Sequence, residues 1–270
     1  MKLAFIGTGV MGSAIARAVC AAADPSSVYV SNRSLAKAEA LAKDLGCCVC
    51  PTNPDCARDA DYIFLGVKPN MIRDVLREIA PMLRSEQIIV SMAAGITGDT
   101  IRETLTQASA QLRSIPIVRI LPNTPCAIGR GLMLIAPCGN VSPESLEELS
   151  SLLAPCGLIG HTDEAHADAG MVVGGCTPAY TYMFIEALAD GAVRCGLSRQ
   201  DALSWAAQAV AGAAELLLQT GAHPGMLKDA VCSPGGSTIE GVLALEHSAF
   251  RGIVMEAVGT AWEKTTALGK

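Results

Sequence analysis

Residues 2–12 read KLAFIGTGVMG, a short apolar run that closes on Gly7-Thr8-Gly9-Val10-Met11-Gly12. A strand feeding a GxGxxG turn and then a helix can fold in few ways, because each glycine has a separate task. Gly7 permits the tight turn, Gly9 lets a phosphate approach the backbone, and Gly12 lets the helix pack close to its strand. Leu3–Ile6 are strand-like and Ser13–Ala23 are rich in helix formers. That context points to a dinucleotide-binding βα unit rather than a plain βα turn. The helix would aim its free amides and positive dipole end at a pyrophosphate.

The next strand selects the dinucleotide. Ser27–Ser31 (SVYVS) is β-branched and aromatic, and an NAD site would end such a strand with Asp or Glu to hold the ribose hydroxyls. Here Asn32, Arg33 and Ser34 stand in that place. A carboxylate would repel a ribose phosphate, whereas a guanidinium flanked by amide and hydroxyl groups binds one. NADP(H) is therefore the preferred cofactor, with NAD(H) possible. A second role is open for Asn32 and Ser34, as caps of the helix that begins near Leu35.

The chain has 270 residues, enough for two domains, with 50% hydrophobic and 17% charged residues. So apolar a chain is not disordered and suggests surface buried between subunits. A net charge of -6 gives no reason to expect nucleic acid or an anionic membrane as partner. No stretch approaches the ~20 apolar residues of a membrane span, and the first apolar run is broken by glycines, so no export signal is read. Eleven cysteines in such a chain are expected to be reduced thiols in a cytoplasm. Cys47 and Cys50 have CxxC spacing, with Cys48 and Cys56 nearby, but no second such pair or His pair accompanies them. They are read as small apolar strand residues, and no metal is expected.

The first half alternates apolar runs with helical stretches. Strands are predicted at Lys2–Ile6, Val28–Ser31, Cys48–Cys50, Tyr62–Gly66, Gln87–Ser91, Ile117–Leu121, Gly131–Ala136 and Leu158–Gly160. Helices are predicted at Gly12–Ala23, Leu35–Leu45, Met71–Leu83, Asp99–Leu112 and Pro143–Leu153. This alternation implies an α/β fold with a mostly parallel, doubly wound sheet of the Rossmann type. After His161 strand signals stop. Ala202, Trp205, Ala206, Ala209, Ala213, Leu216 and Leu217 recur at helical spacing, as do Phe250, Val254, Ala257, Val258 and Ala261. The expected division is a dinucleotide-binding domain over 1–162 and an all-helical substrate-binding and dimerisation domain over 163–270.

Ligands of doubly wound sheets bind beyond the carboxyl ends of the strands. Gly66-Val67-Lys68-Pro69 ends the fourth strand, and Ser91-Met92-Ala93-Ala94-Gly95 ends the fifth with residues small enough for a flat ring to approach. Arg119–Gly131 (RILPNTPCAIGRG) is a proline-stiffened loop. In the helical part, Ser233-Pro234-Gly235-Gly236-Ser237-Thr238 breaks one helix and starts another. Its amides could converge on a carboxylate, with Ser233 and Thr238 adding hydroxyls. It could equally be a helix corner in which Ser and Thr serve as caps.

Taken together, these stretches resemble the pyrroline-5-carboxylate reductase family over the whole chain. The resemblance rests on the GxGxxG, the VKP turn, SMAAG, RILPNTP, PAYTYMFIEALADGAVRCGL at Pro178–Leu197 and, most diagnostic, HPGMLKDAVCSPGGSTIEGVLALE at His223–Glu246. It implies hydride transfer from NAD(P)H to the cyclic imine of 1-pyrroline-5-carboxylate, giving L-proline. It also implies helical domains interlocked as homodimers, often assembled further, up to decamers. By motif, Ile6, Gly7, Thr8, Gly9, Val10, Met11 and Gly12 would form the pyrophosphate turn. Asn32, Arg33 and Ser34 would lie at the adenosine ribose, and Asn53 at the adenosine half. Gly66, Val67, Lys68 and Pro69 with Met92, Ala93 and Ala94 would flank the nicotinamide. Ser233, Gly235, Gly236, Ser237 and Thr238 would hold the substrate carboxylate, with the Thr238 hydroxyl near the ring nitrogen and Ser233 and Thr238 as the catalytic pair. The chain departs from the family at Cys176 and Thr177, where GSGPAY becomes GCTPAY, and at Cys232 before SPGG.

A protonated imine accepts hydride readily, so this chemistry needs orientation and charge placement more than a strong base. Two other readings compete. A β-hydroxyacid dehydrogenase shares the domain order but uses a lysine of the helical domain, and none occurs between Lys68 and Lys228. A regulatory protein that binds NADP(H) without turnover could dispense with SPGGST.

Overall fold

The computed structural model describes residues 1–268. Among these residues eight strands form one sheet: β1 (Leu3–Ile6), β2 (Val28–Ser31), β3 (Cys48–Val49), β4 (Tyr62–Leu65), β5 (Ile88–Ser91), β6 (Ile117–Pro122), β7 (Gly131–Pro137) and β8 (Gly157–His161), ordered β3-β2-β1-β4-β5-β6-β7-β8. Every pairing is parallel except β6 with β7, which is antiparallel. The order reverses at β1, which lies between β2 and β4, so the topological switch point falls beside the glycine turn.

The central strands β1, β4 and β5 are buried at every residue. Both faces are covered, which is why these strands read as continuous apolar runs rather than alternations. Leu3 and Phe5 pack on one face with Val30, Phe64 and Val90, and Ala4 and Ile6 on the other with Ile63, Leu65 and Ile89. Phe5 and Phe64 are direct cross-strand neighbours and their rings stack with centroids 4.4 Å apart.

Helices α1 (Val10–Ala22), α2 (Leu35–Leu45), α3 (Asn53–Ala57), α4 (Ile72–Ile79), α5 (Gly98–Ala108) and α6 (Pro143–Leu153) flank this sheet. Helix α4 buries Ile72, Val75, Leu76 and Ile79, one stripe at helical spacing. Two helices end sooner than predicted. After α4 the chain tightens at Ala80–Met82, where Pro81 removes a donor, and after α5 it tightens at Ala110–Ser114. The short α3 has no counterpart among the predicted helices. Its signals are nonetheless local: Thr52 Oγ1 accepts from the Asp55 amide, and Pro54 sits in the first turn.

Beyond β8 come α7 (Glu164–Met171), a π-turn (Val172–Cys176), α8 (Thr177–Arg194), α9 (Arg199–Thr220), α10 (Pro224–Ala230), α11 (Ser237–His247) and α12 (Phe250–Leu268), with no strand among the described residues. Contacts divide the chain into two compact units, Met1–Cys176 with the chain end from Ala261, and Thr177–Thr260. Within Thr177–Thr260 only Ala189 and Ala202 are buried, while Met183 is 70% and Leu218 74% exposed. That unit buries too little apolar surface for its composition, and its side chains suit burial against another protein surface. Among the described residues no helix is long and apolar enough to cross a membrane.

Candidate active site

A cleft of about 860 Å³ opens at the carboxyl ends of β1, β2 and β4, lined by Gly7, Thr8, Gly9, Ser31, Asn32, Arg33, Ser34, Asn53, Gly66, Val67 and Lys68 among others. Three glycines build its floor. Gly7 has φ +90°, a conformation that an L side chain resists. A Cβ on Gly12 would lie 2.2 Å from the Gly7 carbonyl oxygen, and one on Gly66 2.3 Å from the same atom. Strands β1 and β4 and helix α1 thus meet backbone to backbone. Gly9 differs: a Cβ there would meet nothing within 4 Å. Its side of the turn faces open space, and Gly9 is the N-cap of α1 with no side chain to occupy the first amides. Room and unpaired donors coincide at one point, which fits a pyrophosphate.

Thr8 is buried, and its hydroxyl accepts from Asn32 Nδ2 at 2.8 Å, tying the glycine turn to the end of β2. Asn32 Oδ1 in turn accepts from the Ser34 amide at 3.1 Å. Ser34 occupies the N-cap of α2, yet its hydroxyl makes no capping bond. Arg33 is exposed at the rim and pairs with no carboxylate among the described residues. Lys37, one turn into α2, lines the same cleft as Arg33 and Lys68, a third cation that the sequence reading passed over. Asp74 and Glu78 of α4 also line it. Ser31 Oγ donates to Asn53 Oδ1 at 2.9 Å, and Asn53 Nδ2 donates to Glu78 at 2.8 Å, so Asn53 is held from both sides. The cleft is cationic beside β2 and anionic beside α4.

The other expected cofactor-site residues, Ile6, Val10, Met11, Gly12, Pro69, Met92, Ala93 and Ala94, do not line this cleft. Ile6 is fully buried beneath the turn, Val10 and Met11 begin α1, and Pro69 opens the tight turn Pro69–Met71. Met92, Ala93 and Ala94 follow β5; Ala93 is buried and Met92 packs on the core. Asn123, in the loop after β6, points its amide inward to the Leu132 N–H and the Gly174 carbonyl.

In the helical unit the turn between α10 and α11 has Gly235 at φ +68° and Gly236 as N-cap of α11. The cap therefore has no side chain. Neither the Ser233 nor the Thr238 hydroxyl makes a hydrogen bond among the described residues, so the corner is not closed by Ser and Thr. The Gly236 amide donates to the Ser233 carbonyl at 3.0 Å, whereas the Ser237 and Thr238 amides have no acceptor among the described residues and are left for an outside one, with two hydroxyls beside them.

All eleven cysteines are free. Cys50 and Cys56 are buried and Cys47 and Cys48 half-buried, and no group of three or more metal-ligating side chains occurs among the described residues. Burial and the nearby Glu164 carboxylate push the Cys138 thiol up to about 12, so it stays neutral at pH 7.

Residues 164–268 match the family described as pyrroline-5-carboxylate reductase dimerisation, and residues 2–95 match NADP oxidoreductase coenzyme F420-dependent. Pyrroline-5-carboxylate reductase of Escherichia coli strain K12 is 39% identical over 271 residues, covering 100% of this chain and 98% of its own. This chain belongs to the pyrroline-5-carboxylate reductase family. Two solved structures agree over the full length. The Plasmodium falciparum pyrroline carboxylate reductase with NADP bound is 31% identical with a TM-score of 0.86, covering 100% of this chain and 98% of its own. The Coxiella burnetii reductase is 30% identical with a TM-score of 0.90, again covering 100% and 98%. Family membership accounts for the glycine-floored cleft and the exposed apolar helices together, because residues 2–95 match an NADP oxidoreductase family and residues 164–268 a dimerisation region.

Proposed function

We propose that this reductase converts 1-pyrroline-5-carboxylate to L-proline, with NADPH as its preferred reductant and NADH as a poorer one. The observation that carries the reading is the uncapped Gly236 turn, an anion site of backbone amides and two hydroxyls, in a chain of this family. The Ser237 and Thr238 amides take the substrate carboxylate, with Gly235 giving the turn its left-handed bend and Ser233 flanking it; the Gly236 amide, expected to join them, is spent inside the turn on the Ser233 carbonyl at 3.0 Å. The Thr238 hydroxyl orients the ring nitrogen. Bound NADPH supplies the hydride. Gly9 and the first turn of α1 take the pyrophosphate, Asn53 meets the adenosine half, and Gly66–Pro69 with Met92–Ala94 border the nicotinamide half. The nucleotide-binding part is assigned to residues 1–162 and the substrate-binding and dimerisation part to 163–270. The exposed apolar helices pair two copies, and decamers are a further step of the same assembly. The free thiols suit a reducing cytoplasm.

Following cofactor absorbance with different second substrates tests the reading. Oxidation of NADPH should depend on pyrroline-5-carboxylate, whereas a β-hydroxyacid with NADP⁺ should give none. Hydroxyacid oxidation without imine reduction would overturn it.

Arg33 should read the ribose phosphate. Arg33→Ala is expected to weaken NADPH about tenfold, or ~1.4 kcal/mol, because an exposed charge-assisted bond is lost. NADH binding should barely change. Equal loss for both cofactors would remove Arg33 from phosphate recognition.

Sedimentation at micromolar concentration should give a dimer or larger species, since Trp205 and Met255, 58% and 69% exposed in the single chain, need cover. A monomer would contradict the assembly.

A further inference from the structure

The π-turn at Val172–Cys176 and the loop after β6 explain each other. In an α-helix the Gly174 carbonyl would accept from the amide of residue 178. That residue is Pro178, which has no N–H and whose ring crowds the carbonyl four residues earlier. The helix widens at this point into the π-turn. The Gly174 carbonyl instead accepts from Asn123 Nδ2 at 3.0 Å. Oδ1 of the same amide accepts from the Leu132 N–H at 2.9 Å, so both ends of the Asn123 side chain are committed and its orientation is set. The turn is also seated tightly. A Cβ on Gly174 would lie 3.1 Å from Leu132 Cδ2, and one on Gly170, in the last turn of α7 just before it, 2.4 Å from Leu134 Cδ1. Single-turn π segments recur where a helix must present groups in a non-helical arrangement. Here the turn leads through exposed Gly175 into Cys176 and Thr177, where the family reads GSGPAY.

We propose that Asn123 is a positioning residue for imine reduction: it supplies the donor that Pro178 lacks and so holds the π-turn in the shape that turnover needs. This rests on the reductase reading above. Three full-length variants test it: Asn123→Asp, which keeps the acceptor for Leu132 but removes the donor; Pro178→Ala, which restores an amide; and both together. Melting temperature, NADPH affinity by fluorescence, and kcat and KM for pyrroline-5-carboxylate are measured on the same preparations. Asn123→Asp should lower the melting temperature and reduce kcat/KM about tenfold, with NADPH affinity within about twofold of the parent. Pro178→Ala should keep or raise the melting temperature while kcat/KM falls about fivefold, because regular helical pairing relaxes the turn. The combined variant should regain melting temperature and stay slow. Parental turnover in Pro178→Ala, or recovery of turnover with melting temperature in the combined variant, would reduce Asn123 to a structural partner and overturn the proposal. Failure of the parent protein to reduce the imine would instead sink the reductase reading. Melting temperatures would then still decide whether Asn123 and Pro178 are coupled, and no recovery in the combined variant would refute that coupling.

Discussion

Replacing Arg119 with Leu should destabilise the protein by roughly 3–5 kcal/mol, the usual cost of removing one partner from a buried ion pair. Arg119 lies on β6 with its side chain 2% exposed. Its guanidinium donates to Asp168 at 2.8 Å and lies 3.6 Å from Glu164. Glu164 also accepts from the Gly98 amide at the start of α5, at 2.5 Å. One cation thus joins α7 to the sheet and, through Glu164, to α5. Leu at this position would leave two neighbouring carboxylates without their counter-charge and one of them on a helix N-terminus. Because Glu164 and Asp168 keep 30% and 22% exposure, water offsets part of the loss, and the lower end of the range is expected. Denaturant unfolding of the purified protein measures it. Adding Glu164→Gln and Asp168→Asn to Arg119→Leu should recover part of the stability, since like-charge repulsion goes with the carboxylates. An unchanged unfolding midpoint in Arg119→Leu would show that the pair contributes nothing net.

The second large effect is expected at Thr238. Thr238→Val keeps the shape and removes the hydroxyl. An orienting hydrogen bond to a partly charged group contributes ~1.5–3 kcal/mol, so imine reduction should fall roughly 10- to 150-fold. NADPH affinity should hold, because the pyrophosphate turn and the Arg33 rim belong to other residues. Stability should hold as well. Gly236, not Thr238, is the N-cap of α11, and the Thr238 hydroxyl has no hydrogen bond to lose among the described residues. A lower melting temperature with normal turnover would place Thr238 in the fold and remove it from the reaction.

The strands were legible because each is a short apolar run between turn residues; Val28–Ser31 coincides with its prediction and the other seven agree to within a residue or two. Helices α2 and α6 were equally legible, since Ser34 and Ser142 mark their starts. What escaped was contact made through space. Gly66 reads along the chain as the end of a strand, and nothing local shows that it must lack a Cβ because of the Gly7 carbonyl. Arg119 reads as the first residue of a loop motif, yet it is a buried cation paired across 49 positions with Asp168. Asn123 falls in the same motif, and its partner Gly174 lies 51 positions away. Pro178 was the one local clue, because a proline inside a helix leaves a carbonyl unpaired and so demands a donor from elsewhere. The exposed helix faces of the second unit were legible only as an excess of apolar residues, which says that a surface is covered and not where.

Hydride transfer to the imine is the central claim, and isotope transfer tests it most directly. The enzyme is given pyrroline-5-carboxylate and NADPH carrying deuterium at the transferable position of the nicotinamide, on the face the enzyme uses. The L-proline formed should carry one deuterium per molecule, on the ring carbon that was double-bonded to nitrogen, and should match NADPH consumed one for one. Proline without the label, or NADPH oxidised with no proline formed, would contradict the account.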